Sequence, residues 1–205
     1  MLRNFSQGLL LLGALTIATS AAAQSTPGRE KSPVSGDVAV MMALEHAQVA
    51  QTNGNRFWPK GIAFDAGISM WKGIGFAFDF SFERASNIQN NGVNLSKVAF
   101  MAGPRYSFDI SRPGVLFHSD RPVRAFVQSL YGPTHATDSL FPETIPLSTT
   151  AEALSVSVGG GVDVPVKAGL GIRALDVSWI HSNYSNAAAN VQNDFRIAFG
   201  ANYHF

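Results

Sequence analysis

Residues 75–83 read Gly75-Phe76-Ala77-Phe78-Asp79-Phe80-Ser81-Phe82-Glu83. Four phenylalanines stand at every second position, and the residues between them are small, polar or acidic. Successive side chains of a β-strand point to opposite faces, so this stretch reads as a strand with one aromatic face and one face suited to a crowded polar space. A helix would scatter the phenylalanines around its circumference. The end of the chain repeats the pattern: Phe195, Ile197, Phe199, Ala201, Tyr203 and Phe205 alternate with Asp194, Arg196, Ala198, Gly200, Asn202 and His204.

Working outward, six more alternating segments separated by polar or Gly/Pro/Asn clusters complete a set of eight expected strands: 37–45, 61–70, 74–84, 95–108, 122–131, 151–164, 171–181 and 193–205. Most have about the 9–11 residues that a tilted transmembrane strand needs. With both chain ends on the periplasmic side, the connections 46–60, 85–94, 132–150 and 182–192 face outward and 71–73, 109–121 and 165–170 face inward. Inward turns are generally the shorter ones in such barrels, and 109–121 is long for one. A mobile turn or strands continuing below the membrane would account for it.

Ahead of the strands, Arg3, the run Leu9-Leu10-Leu11-Leu12-Gly13-Ala14-Leu15 and Ala21-Ala22-Ala23 form the basic, apolar and cleavage regions of an export signal over 1–23. The apolar run falls short of the roughly 20 residues of a spanning helix. Residues 24–36, rich in Pro, Ser and charge, read as a flexible periplasmic lead-in, and 37–205 as a single barrel domain. There is no cysteine, hence neither disulfides nor thiolate metal sites. A net charge of +1 with 14% charged residues gives no electrostatic reason to expect nucleic acid as a partner.

Alternation alone also fits a soluble, lipocalin-like binder with its apolar face turned inward. The polar face discriminates, because a soluble exterior needs abundant Lys and Glu. Here that face is mostly Gly, Ala and Ser with a few charges of both signs, including Asp65, Asp79, Arg105, Asp163, Asp176 and Arg196. The expectation is therefore an all-β, closed, antiparallel, up-and-down eight-stranded transmembrane barrel with lipid on its aromatic face. Tyr106, Phe108, Tyr203 and Phe205 near the inner strand ends, with Tyr131 and Trp179 near the outer ones, suit interfacial girdles.

The terminal Ala198-Phe199-Gly200-Ala201-Asn202-Tyr203-His204-Phe205 resembles the last strand of outer-membrane barrels. Gly103-Pro104-Arg105-Tyr106, Gly159-Gly160-Gly161-Val162-Asp163 and Gln192-Asn193-Asp194-Phe195-Arg196 resemble small OmpA-like barrel domains, and the likeness spans residues 34–205. The resemblance implies location in the outer membrane of a diderm bacterium. It also implies contact with outer-membrane lipid, and Tyr203 and Phe205 as a signal to the barrel-assembly machinery. Larger OmpA-type proteins carry a peptidoglycan-binding domain after the barrel. None follows in this sequence, so no cell-wall tethering is expected.

Candidate chemistry is sparse. His46, His118, His135, His181 and His204 show no ligand spacing, and no metal or cofactor is expected. The glycines at 159–161 sit within a strand, where they relieve crowding or mark a bulge. Pro104 cannot donate to a ladder, so a bulge is expected beside it. His181-Ser182-Asn183-Tyr184-Ser185 faintly resembles the His/Ser region of outer-membrane lipid A deacylases, but neither serine has the spacing that family uses. A polar loop is the simpler reading.

The lumen charges are more informative. Pairing across the 71–73 turn sets Asp65 opposite Asp79, the next hairpin sets Glu83 opposite Lys97, and closure brings Glu45 near Arg196. Two facing carboxylates repel unless a cation or proton intervenes. Arg105, reaching up from the fourth expected strand, is the expected bridge between Asp65 and Asp79 and the plug of the lumen, since eight strands enclose little more than their own side chains. The expected lumen network is Glu45, Asp65, Asp79, Glu83, Lys97, Arg105, Asp163, Asp176 and Arg196. The expected function is non-catalytic: an envelope barrel with a structural or surface-interaction role, its outward ligand unspecified. A narrow pore, a lipid-acting hydrolase and a lipocalin-like binder are the alternatives.

Overall fold

The computed structural model describes residues 34–48, 56–88, 92–111, 121–141, 148–184 and 191–205. The expected export signal and most of the lead-in lie outside these residues. The strands are β1 (Ser35–Gln48), β2 (Arg56–Phe57), β3 (Lys60–Trp71), β4 (Ile74–Ile88), β5 (Val93–Asp109), β6 (Arg124–Phe141), β7 (Ser148–Lys167), β8 (Leu170–Tyr184) and β9 (Val191–His204). Among the described residues there is no helix. Eight strands pair antiparallel with their sequence neighbours and β9 returns to β1, closing the barrel. The two-residue β2 adds to the top of β1 through Ala47 and Phe57. The fold is a closed, eight-stranded, antiparallel up-and-down β-barrel.

Closure follows from local chemistry. Two hairpins turn on two residues each, Lys72-Gly73 and Ala168-Gly169, all four with positive φ between 48° and 86°. That is the turn whose twist matches a hairpin, and glycine supplies the conformation at its second position. Directly paired residues lead around the barrel from Ser35 through Ser69, Gly75, Arg105, Gln128, Gly159, Ser178 and Arg196. The circuit re-enters β1 at Glu45, ten residues above its start. A stagger of ten over eight strands corresponds to a tilt of about 40°.

Each strand wears its apolar face outside. Phe76, Phe78, Phe80 and Phe82 are exposed, as are Val40, Met42, Leu44, Ile62, Phe100, Leu154 and Phe199. The residues between them are buried in the lumen, among them Asp65, Asp79, Glu83, Lys97, Arg105 and Arg196. A lipocalin-like binder needs the opposite arrangement. In water this belt would far exceed the few hundred Å² of contiguous apolar surface usual for a soluble monomer.

The strand limits differ most from expectation at β6, which continues ten residues beyond Tyr131 to Phe141. Its outward positions there, Pro133, His135 and Thr137, have lost the apolar alternation, while Thr134 and Ala136 remain buried inside. The strand outlasts the apolar belt, so hydrophobic period underestimates it. At the opposite end of β6, pairing continues below the strands, with Ile110 N–H donating to Val123 O at 2.9 Å. The bulge expected beside Pro104 is absent: Phe76 pairs Pro104 in a β4–β5 register that holds from Ile74 to Ala85, and Ala102–Tyr131 and Arg105–Gln128 keep one register on the other side. The ladder simply runs past the missing donor. Bulges fall elsewhere, at Val162/Asp163 and Arg173/Asp176 among other places.

Candidate functional site: a salt-bridged lumen

The lumen holds two groups of charge. Toward the end with the tight turns, the Arg105 guanidinium from β5 hydrogen-bonds Asp37 of β1 at 3.1 Å, Asp65 of β3, and the Gln128 side chain of β6 at 2.9 Å. Arg173 of β8 grips Asp163 of β7 with two bonds of 2.7 and 3.0 Å, and reaches Asp37 at 3.0 Å and also Asp65. Asp176 lies 3.9 Å from Arg173. The Phe126 ring stacks on both cations, with guanidinium carbons 4.3 and 4.4 Å from its centroid. An aromatic face attracts desolvated cations, so the buried Phe126 ring belongs among the charges.

Small residues make room for these side chains. A Cβ on Gly67 would stand 2.3 Å from Arg105 Nη1, and one on Gly161 would stand 2.7 Å from the Phe126 ring. The glycines of 159–161 therefore serve packing inside a strand, with a bulge beginning directly after them.

Nearer the long connections, Arg196 of β9 holds Asp79 of β4 through two parallel bonds, while Lys97 of β5 pairs with Glu45 of β1. Asp194 and Glu83 lie 3.5 and 3.8 Å from the same ammonium. Thr134, Ser155 and Ser182 link hydroxyl to hydroxyl at 2.7 and 2.8 Å along the β6–β8 wall. With Gln128 included, all eight barrel strands contribute a polar side chain to the lumen.

All nine residues expected in the network are buried in the lumen, but the partners differ from expectation. Arg105 bridges Asp65 to Asp37, not to Asp79, because Arg196 already occupies both Asp79 oxygens. Glu45 is opposite Arg196 in the ladder but makes its ion pair with Lys97. Asp37, Arg173 and Asp194 also belong to the network, beyond those expected, and His204, buried in the lumen, lies 3.6 Å from Asp163. Arg173 is the instructive case. It is three residues from Asp176, so strict alternation sends one of the two outward. The bulge between them exposes Ala174 and Leu175 together and turns both charges inward.

Among the described residues the serine and histidine of the hydrolase alternative do not meet, and Ser185 lies outside them. Ser182 is buried in the lumen against Ser155, while His181 lies on the outer face and contacts Asn193 at 2.9 Å. Among the described residues no group of His, Asp and Glu has metal-binding geometry. Tyr106, Tyr131, Trp179 and Tyr203 all stand on the outer face, and Phe205 is exposed.

Comparison with solved structures returns the same architecture. The chain superposes on Ail, the attachment invasion locus protein of Yersinia pestis, in its complex with the heparin analogue sucrose octasulfate. That match covers 84% of this chain and 99% of Ail, with TM-score 0.52 and 15% identity. Neisserial surface protein A matches over 85% of this chain and 98% of its own, with TM-score 0.52 and 16% identity. The fold is that of the small outer-membrane barrels. At such identities the likeness is one of fold. No protein-family model and no curated protein matches the sequence.

Proposed function

We propose that this protein is an integral outer-membrane protein of a diderm bacterium: a sealed, non-catalytic barrel that holds its long connections outward on a rigid wall. One observation carries the reading. The lumen is crossed by Arg105, Arg173, Arg196 and Lys97, each bonded to carboxylates on strands other than its own, inside a belt of exposed phenylalanine and aliphatic side chains. Charges buried this way are stable when paired and hydrogen-bonded, and the belt is stable when it meets lipid. The export signal read at 1–23 and the terminal Tyr203 and Phe205 agree with outer-membrane assembly.

Fractionation combined with heat-modifiable gel migration tests the location, and planar-bilayer recording tests the seal. The sealed reading expects a folded, outer-membrane species with no steady conductance. A second reading, a narrow cation-selective pore, draws on the lumen's charge balance. The buried carboxylates Asp37, Glu45, Asp65, Asp79, Glu83, Asp163, Asp176 and Asp194 outnumber the four buried Lys and Arg. Steady cation current through the wild-type protein would favour it.

A further inference from the structure

At the end of the barrel that carries the long connections, Lys60 of β3 and Arg84 of β4 are direct cross-strand partners on the outer face, and both are exposed. The next outward pair below them is Ile62 and Phe82, where the apolar belt begins. Like charges directly opposite on a sheet face, with Cβ atoms about 5 Å apart, are destabilising. The four buried lumen cations all have carboxylate partners, whereas among the described residues neither Lys60 nor Arg84 makes an ion pair.

The surroundings deepen the imbalance. Residues 46–60 and 84–95 contain no Asp or Glu and add a third cation, Arg56. Arg56 sits on β2, and the chain that follows is held to the barrel by the Glu45 N–H bond to Pro59 O at 3.0 Å. Trp58, 53% exposed, packs its ring against His46 at 4.6 Å between centroids. The result is a basic cluster with an amphipathic aromatic at the rim of the apolar belt. The Asp138 carboxylate beyond Arg84 is hydrogen-bonded to Ser96 at 2.8 Å and, among the described residues, makes no ion pair with the cluster.

We infer that Lys60 and Arg84, assisted by Arg56, bind the phosphate of a phosphorylated lipid headgroup in the outer leaflet. The inference rests on the outer-membrane reading. A phosphate between the two side chains turns their repulsion into attraction: Arg84 offers a planar fork to two oxygens and Lys60 a mobile point charge. Headgroup phosphates lie directly above the hydrocarbon region, which is the level of this pair relative to Ile62 and Phe82.

The test uses the full mature barrel refolded in dodecyl maltoside micelles, with bound lipid counted by native mass spectrometry. Phosphatidic acid, diacylglycerol and inorganic phosphate are the probes. Wild type is expected to retain phosphatidic acid, to retain diacylglycerol poorly and to hold no inorganic phosphate. Lys60→Gln and Arg84→Gln together should weaken phosphatidic acid retention roughly ten- to thirtyfold, from about 1 kcal/mol per surface cation. The single variants are measured alongside in case the double variant folds poorly, and heat-modifiable migration monitors folding of each. Equal retention by folded variants and wild type overturns the inference, as does equal retention of diacylglycerol. Binding of inorganic phosphate at the same site rules out a lipid as the intended ligand. None of these outcomes depends on cell fractionation, so a protein absent from the outer membrane sinks the location reading separately.

Discussion

Arg196 and Asp79 are 117 residues apart in sequence and sit on strands that do not pair, yet they meet across the lumen through two hydrogen bonds of 3.0 and 2.8 Å. Each side chain is 1% exposed. The pair ties β9 to β4 through the interior. Removing one partner from a buried ion pair leaves an uncompensated charge and costs about 3–5 kcal/mol. Arg196→Ala and Asp79→Ala are each expected to destabilise the barrel by that order. The double variant is expected to lose less than the sum. Urea unfolding of the refolded protein in micelles measures the cycle, and strict additivity would show that the bond contributes nothing.

Arg173 contacts more carboxylates than Arg105, and both stack on Phe126. Arg173→Ala is therefore expected to open the lumen more than Arg105→Ala, with ion conductance rising from the sealed wild type in that order. A wild-type conductance that is already steady, and unchanged by either substitution, would refute the sealed reading in favour of the pore.

Phe80 and Ser81 are neighbours with opposite surroundings: Phe80 is exposed on the outer face and Ser81 is buried inside. Phe80→Arg near the bilayer midplane is expected to cost about 2–4 kcal/mol. Ser81→Arg acts instead by overfilling the lumen. Cysteine at position 80 should react with a membrane-phase probe and cysteine at 81 should not. The reverse labelling would place lipid on the wrong face.

Glu83 and Asp65 are both buried carboxylates, but their surroundings differ. Asp65 is bonded by Arg105 and Arg173 together. Among the described residues no cation hydrogen-bonds Glu83, and the nearest ammonium, 3.8 Å away, is engaged by Glu45. Glu83→Gln is expected to change stability by less than about 1 kcal/mol, whereas Asp65→Asn should lose several times that. Equal losses in the two variants would mean that Glu83 is engaged as fully as Asp65.

The sequence by itself determined the eight barrel strands, their order and, away from the bulges, their facing. A side-chain period of two separates Phe76, Phe78, Phe80 and Phe82 from Asp79, Ser81 and Glu83 without reference to any neighbour, and the polar face, poor in Lys and Glu, points it to the lumen. Local register was legible for the same reason. A two-residue turn fixes its hairpin, so Asp65 opposite Asp79 follows from Lys72-Gly73. Only the tertiary structure decided the ionic partners. Whether Arg196 bonds Glu45 beside it or Asp79 across the lumen depends on the stagger accumulated around all eight strands. Whether Arg173 enters at all depends on a bulge that alternation cannot anticipate, because one extra residue reverses every facing beyond it. Alternation is a property of a single strand, whereas a salt bridge across a barrel is a property of its closure.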